Sequence, residues 1–153
     1  MARSHKIGIV GTGFIARGLT RLLVNHHPDL EVVAVLTRRD LENCREFPLR
    51  DKLTHSVSEL IDKAELVVEC SGDVIHATEI IDKVLQAGLP CVTMSSEFHV
   101  TTGSYFIDKG FLTEAEGNQP GCLAALNEEI VQMGFKPLVY GNMKRYLNLS
   151  PEP

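Results

Sequence analysis

The stretch "KIGIVGTGFIARGL" (residues 6–19) decides the fold. It opens as a short apolar run, "KIGIV" (6–10), that gives way to two glycines, Gly11 and Gly13. A helical pattern follows at once, with Ile15, Leu19, Leu22 and Leu23 recurring at helical spacing as far as "NHHPD". Strand, tight turn and helix are the reading. Downstream, "EVVAVL" (31–36) is β-branched and bounded by polar residues, so it reads as a second buried strand. The intervening helix supplies the crossover that parallel pairing requires.

Within "GTGFIA" the first glycine permits a tight turn and the second lets the backbone approach a pyrophosphate. The third position, Ala16, is small enough for helix and strand to pack closely. Free amides and the positive end of the helix dipole then face the phosphates. Glycines can also merely shape a turn. Here they follow a strand, open a helix and lie inside a βαβ unit, which is the context that marks a dinucleotide site. Gly11, Thr12, Gly13, Phe14 and Ile15 are therefore the candidates for the diphosphate.

At the end of the second strand, about 20 residues past the motif, an NAD-selective site carries an acidic side chain for the ribose hydroxyls. This chain has Thr37, Arg38 and Arg39 there. A carboxylate would repel a 2′-phosphate, whereas guanidinium groups match it in charge and in forked geometry. NADP is the expected cofactor. NAD is the alternative, with the arginines in a solvated loop and Asp40 taking the ribose.

Further along, "TRRDLENCREFPLRDKLTHS" is polar and holds at most one short helix, with Asp40 as its cap. "SVSE" at Ser56 matches a capping box, "LIDKA" supplies a short helix, and "LVVEC" is the next strand. "CSGD" then places small residues, Ser71 and Gly72, where backbone passes beside the nicotinamide half of a cofactor. Asp73 is placed to cap a helix with Ala77, Ile80, Ile81, Val84 and Leu85 along one face and Gly88 as its stop. "PCVTM" is a strand, and "SEFHVTTGSYFIDKG" reads as helix or loop. "FLTEA" reads as a strand, "PGCLAALNEEIVQMG" as a helix and "KPLVYG" as another strand. The alternation predicts a Rossmann-type α/β fold: a doubly wound, mainly parallel sheet with helices on both faces.

With 153 residues, 44% hydrophobic and 23% charged, the chain suits one domain, 1–153, with a real core and no internal repeat or linker. A net charge of -5 leaves no basic footprint for nucleic acid. No apolar run approaches the roughly 20 residues that span a bilayer, and the amino end lacks the regions of a secretion signal, so no membrane partner and a cytoplasmic location are expected. Cys44, Cys70, Cys91 and Cys122 stand far apart without C-x-x-C spacing and read as reduced and structural.

The glycine turn, "LVVECSGD", "HATEIIDKVLQAGLPCVTM", "TEAEGNQPG" and "GFKPLVYGNMK" together resemble the amino-terminal portion of the homoserine-dehydrogenase-like oxidoreductases, whose complete members carry a carboxyl-terminal SAF domain. Members of that group include proteins similar in activity to 1-deoxyxylulose-5-phosphate reductoisomerase and others acting on branched sugar acids. The resemblance implies an NAD(P)-binding domain of an oxidoreductase or reductoisomerase with a small hydroxylated or phosphorylated substrate. It also implies that residues 111–153 begin a substrate-handling region continuing beyond Pro153, so that this piece alone turns over little. Association of the full-length protein into a homo-oligomer stays open. Where relatives place a lysine after a strand, this chain reads "SSEFH" (95–99), and Glu116 and Asn118 replace the aspartates of the usual "DGDQPG". Lys144 keeps the lysine of the usual "GNIKG" and is the candidate for substrate binding or proton transfer, against a solvated lysine beside Arg145.

Histidine as a residue type titrates near neutrality and so invites a catalytic reading of His76 and His99, but helix-surface or loop placement is their commoner explanation. Glu97, Glu114 and Glu116 could position a polyol or a metal, yet scattered acids are more often surface residues, and no coherent metal-ligand set is present. A second function class is a non-catalytic module that binds the same cofactor to sense redox state. The polar "TEAEGNQPG" motif at the carboxyl ends of the strands favours the enzyme, since ligands of open sheets bind there.

Overall fold

The computed structural model describes residues 4–115 and 121–139. Six strands, β1 (His5–Val10), β2 (Leu30–Leu36), β3 (Leu53–Thr54), β4 (Leu66–Glu69), β5 (Cys91–Thr93) and β6 (Leu112–Glu114), form one sheet in the order β3-β2-β1-β4-β5-β6. Every neighbouring pair is parallel. The chain winds outward from β1 to β3, then returns to the other side of β1 and winds outward again from β4. The reversal opens a crevice at the carboxyl ends of β1 and β4.

Alternation along the strands divides the core between the two faces of the sheet. Ile7 and Ile9 point with Val32 and Val35 toward α1 (Phe14–His26), where Ala16 and Leu23 complete the cluster. Val10, Leu36 and Val67 point the other way, toward Leu60 of α2 (Val57–Lys63), Ile80, Ile81 and Val84 of α3 (Val74–Gln86) and Phe98 of α4 (Ser96–Thr101). Gly8 lets α2 close on β1, since a Cβ there would lie 2.8 Å from Leu60 Cδ1 and 3.1 Å from the Cβ of Ala64. A fifth helix, α5, runs over Gly121–Gln132.

The expected strand, turn and helix of residues 6–19 form, and Leu19 and Leu23 of the apolar spacing face the core, but the rest of the inward stripe of α1 is not the one that spacing marks. Ala16, Thr20 and Leu23 are buried, whereas Ile15 and Leu22 are 48% and 57% exposed. Thr20 can face the core because its hydroxyl donates to the carbonyl of Ala16 at 2.7 Å. The polar stretch after β2 holds two short 3-10 helices, Leu41–Cys44 and Arg50–Lys52, and then β3. Asp40 caps the first by accepting from the Glu42 amide at 3.1 Å.

Only half of the capping box at Ser56 is made as the motif prescribes. Ser56 Oγ accepts from the Glu59 amide at 3.2 Å. The Ser56 amide donates instead to Thr54 Oγ1 at 3.0 Å, leaving the Glu59 carboxylate to the Thr54 hydroxyl and, at 2.6 Å, to Lys63 Nζ. Asp73 caps α3 through the His76 amide at 3.0 Å, the five predicted apolar residues of that helix are buried, and Gly88 follows it at φ 76°. "SEFHVTTGSYFIDKG" forms α4, capped by Ser95 through the Phe98 amide, and a 3-10 helix at Gly103–Phe106. Of the last expected strand, residues 136–139 are not in a strand and residues 140–141 lie outside the described residues.

Candidate functional site

Gly11 and Gly13 lack side chains for different reasons. The Gly11 amide extends the sheet by donating to the carbonyl of Leu36 at 2.8 Å, and the residue sits at φ 107°. A Cβ on it would stand 2.9 Å from the carbonyl oxygen of Cys70 and 3.1 Å from the Cα of Ser71, so the β4–α3 turn itself excludes one. At Gly13 a Cβ would meet nothing within 4 Å among the described residues, and its φ of -75° is open to any residue. Nothing in the fold demands a glycine there. The bare backbone faces open space at the mouth of the crevice.

The start of α1 is also unlike those of its neighbours. Ser56, Asp73 and Ser95 each cap their helix with a side chain, whereas Gly13 makes no side-chain cap and no acidic residue lies in the first turn of α1. The first amides of a helix have no partner within it. Left uncapped at the positive end of the helix dipole, they make an anion-binding site.

A cleft of about 300 Å³ lies in front of these amides, lined by Gly11, Thr12, Gly13, Leu36, Thr37, Arg38, Arg39, Ser71 and His76. Seven of the ten residues expected at the cofactor are thus brought together; Phe14, Ile15 and Gly72 are not in its lining. Phe14 is 90% exposed at the first turn of α1, and Gly72, at φ 72°, has open space on its Cβ side. Leu36 and His76 join the lining without having been marked as cofactor residues. A second hollow of about 250 Å³ adjoins through Thr12 and Arg39 and includes Arg17, Asn43 and Cys44.

Thr12 and Thr37 are buried and face each other, Oγ1 to Oγ1 at 3.0 Å. Thr37 Oγ1 also accepts from the Arg39 amide at 3.1 Å, and its carbonyl meets His55 Nδ1 at 2.7 Å. These contacts shape the turn from within. The two arginines differ sharply. Arg38 Nη2 donates to Asp73 Oδ2 at 2.7 Å, tying the end of β2 to the start of α3. The Arg39 guanidinium has no hydrogen bond or ion pair among the described residues and lines both hollows.

The charges around this cleft are shifted by their neighbours. Asp73 is held below the usual carboxylate range, first by the His76 amide and then by Arg38. The imidazole of His76 is pushed below its ordinary value by partial burial, and the Arg38 charge adds to this. On the far side of Ser71, the last residue of β4 is Glu69, a fully buried acid. Its Oε1 accepts from the Ser71 amide at 2.6 Å and its Oε2 from the Thr93 hydroxyl at 2.9 Å. The sequence marks it only as a strand residue of "LVVEC". The signal available was a carboxylate at the end of an apolar run, where a buried parallel strand seldom carries one.

His99 and Glu114 are not the surface residues their sequence context implied. His99 on α4 faces Glu114 at the carboxyl end of β6, Nε2 lying 3.7 Å from Oε2, with side chains 21% and 18% exposed. Among the described residues neither of these buried atoms has a hydrogen-bond partner. Glu97 is exposed. Cys44, Cys70 and Cys91 are buried free thiols, and burial, aided by the Glu69 charge, pushes Cys70 and Cys91 up to about 12. Lys144, Glu116 and Asn118 lie outside the described residues. Among the described residues no three His, Cys, Asp or Glu side chains are grouped to hold a metal, and no helix is long and apolar enough to cross a membrane.

A parallel sheet that reverses its winding beside an uncapped glycine turn defines the class: a Rossmann-type dinucleotide-binding domain. Residues 11–105 match the family described as the NAD-binding domain of homoserine dehydrogenase, and the chain belongs to that family. Among solved structures it is similar to a homoserine dehydrogenase from Thiobacillus denitrificans, with a TM-score of 0.69 at 20% identity over 86% of this chain and 34% of that one. The WlbA dehydrogenase from Chromobacterium violaceum, solved with NADH and UDP-GlcNAcA, gives 0.60 at 16% identity over 87% of this chain and 41% of that one. The apo scyllo-inositol dehydrogenase from Lactobacillus casei gives 0.61 at 14% over 88% and 43%. At these identities the likeness is one of fold, and the chain spans about a third to two-fifths of the length of these proteins. No curated protein sequence matches the chain.

Proposed function

We propose that this chain is the cofactor domain of an NADP-preferring oxidoreductase or reductoisomerase acting on a small hydroxylated or phosphorylated compound. The observation that carries the reading is the open backbone of Gly13 at the uncapped start of α1. The amides of residues 11–15 hold the diphosphate, with the helix dipole favouring its charge. Ser71 and Gly72 offer backbone beside the nicotinamide half. The cofactor, when bound, supplies the hydride; the protein orients the substrate carbonyl and manages the proton. Lys144, beyond the described residues, is the proposed group for substrate binding or proton transfer.

Thr37, Arg38 and Arg39 form the ribose end. Because Arg38 already serves Asp73, Arg39 is the guanidinium free to take a 2′-phosphate, and NADP is favoured over NAD on that account. Calorimetric titration with NADP and NAD tests this. Tighter NADP binding is expected, with Arg39→Ala lowering NADP affinity by roughly tenfold, the scale of one charge-assisted contact, while NAD affinity changes little. Arg38→Ala is expected to have the smaller effect. Equal affinity for the two cofactors in the unaltered chain contradicts the assignment of the arginines.

A further inference from the structure

Glu69 presents a charge that the packing of the sheet does not need. Its register partners are Val10 on β1 and Thr93 on β5, and an apolar side chain would fill the same place without the desolvation that a buried carboxylate suffers. Both of its oxygens face donors, the Ser71 amide and the Thr93 hydroxyl. The Thr93 oxygen in turn accepts from the Ser95 amide at 3.0 Å, which leaves its own hydrogen for Glu69. Two donors meet the carboxyl group, and an ionised carboxylate accepts from both. Among the described residues no cation is paired with it.

We propose that Glu69 sets the redox preference of the site, its fixed negative charge favouring the oxidised cofactor, whose nicotinamide ring is cationic, over the reduced cofactor, whose ring is neutral. This rests on the proposed function, in which the nicotinamide half lies at the Ser71–Gly72 turn. That turn is one hydrogen bond from the carboxylate. Glu69 borders the cleft, since its Oε1 accepts from the amide of Ser71, which shares the lining with Gly11, Gly13 and His76; at His76, where burial and Arg38 lower the imidazole, the Glu69 charge works the other way. Away from water such a charge is felt over several ångströms. Lowering the free energy of the oxidised form makes the bound reduced form a stronger hydride donor and biases the site toward reduction of a carbonyl.

Titration of the chain with NADP+ and NADPH, and in parallel with NAD+ and NADH, tests the inference. The unaltered chain is expected to bind the oxidised form more tightly. Glu69→Gln should reduce the oxidised-to-reduced affinity ratio by roughly fivefold, the size of a partly screened charge at this range. Thr93→Val retains the Glu69 side chain and loses two hydrogen bonds, the one to Glu69 and the one from the Ser95 amide, so it should weaken both forms alike and leave the ratio unchanged. A purely structural Glu69 would make the two variants behave in the same way, and that result overturns the inference. Equal or reversed affinities in the unaltered chain overturn it without any variant, even if Glu69→Gln does not fold. Failure to bind either form is a different outcome, since it contradicts the proposed function itself.

Discussion

Gly11 and Gly13 are two residues apart and answer to different neighbours. Gly11 is held by its own protein: its positive φ and the carbonyl of Cys70 leave no room for a methyl group. Gly11→Ala is expected to destabilise the domain by about 1–3 kcal/mol, the range for a strained left-handed residue, as a shift in the urea midpoint will show. Asp73 carries a pH dependence. Its carboxyl is lowered by the His76 amide and then by Arg38, so the folded state favours the ionised form. That contribution is present above the ordinary carboxylate range and fades as pH falls through it toward the folded value. Asp73→Asn preserves an N-cap and removes the charge. Thermal melts should therefore separate variant and parent near neutrality and bring them together in acid; a gap that persists in acid would assign the effect to the cap instead.

Elements were legible in the sequence wherever period and cap agreed. The α3 helix shows both, with Asp73 before it, Gly88 after it and five apolar residues on its inner face. The α1 helix shows what periodicity misses. Its inner stripe uses Ala16 for closeness and Thr20 for a self-satisfied hydroxyl, neither of which registers as a large apolar residue, while Ile15 and Leu22 look outward. Leu23→Ala should cost about 2–4 kcal/mol by opening a cavity, and Leu22→Ala less than about 1 kcal/mol, in parallel chemical denaturation. Similar losses at both positions would place the helix in a different rotation. The β3 strand left no pattern to read, being two residues, Leu53 and Thr54, recruited from a polar stretch by pairing with Val35 and Leu36.

At the scale of the whole molecule, the sheet order brings the carboxyl ends of β1, β4, β5 and β6 into one row. Val10, Glu69, Thr93 and Glu114 are register partners across those four strands. The glycine turn and the arginines of the candidate site could be read locally, because a turn and the end of a strand each announce themselves within a few residues. Glu69 and the facing of His99 to Glu114 could not. Their meaning depends on which strands lie side by side, and that register is set by packing between segments distant in sequence.

On the proposed function, the open backbone at Gly13 is reserved for a diphosphate. Calorimetry with NADP on the parent chain and on Gly13→Val, alongside their melting curves, tests it most directly. Among the described residues nothing lies within 4 Å of the missing Cβ, so the variant should lose no more than about 1 kcal/mol of stability. Its cofactor affinity is expected to fall by at least tenfold, to or below the limit of detection. A variant that melts like the parent and binds NADP equally well would contradict the account.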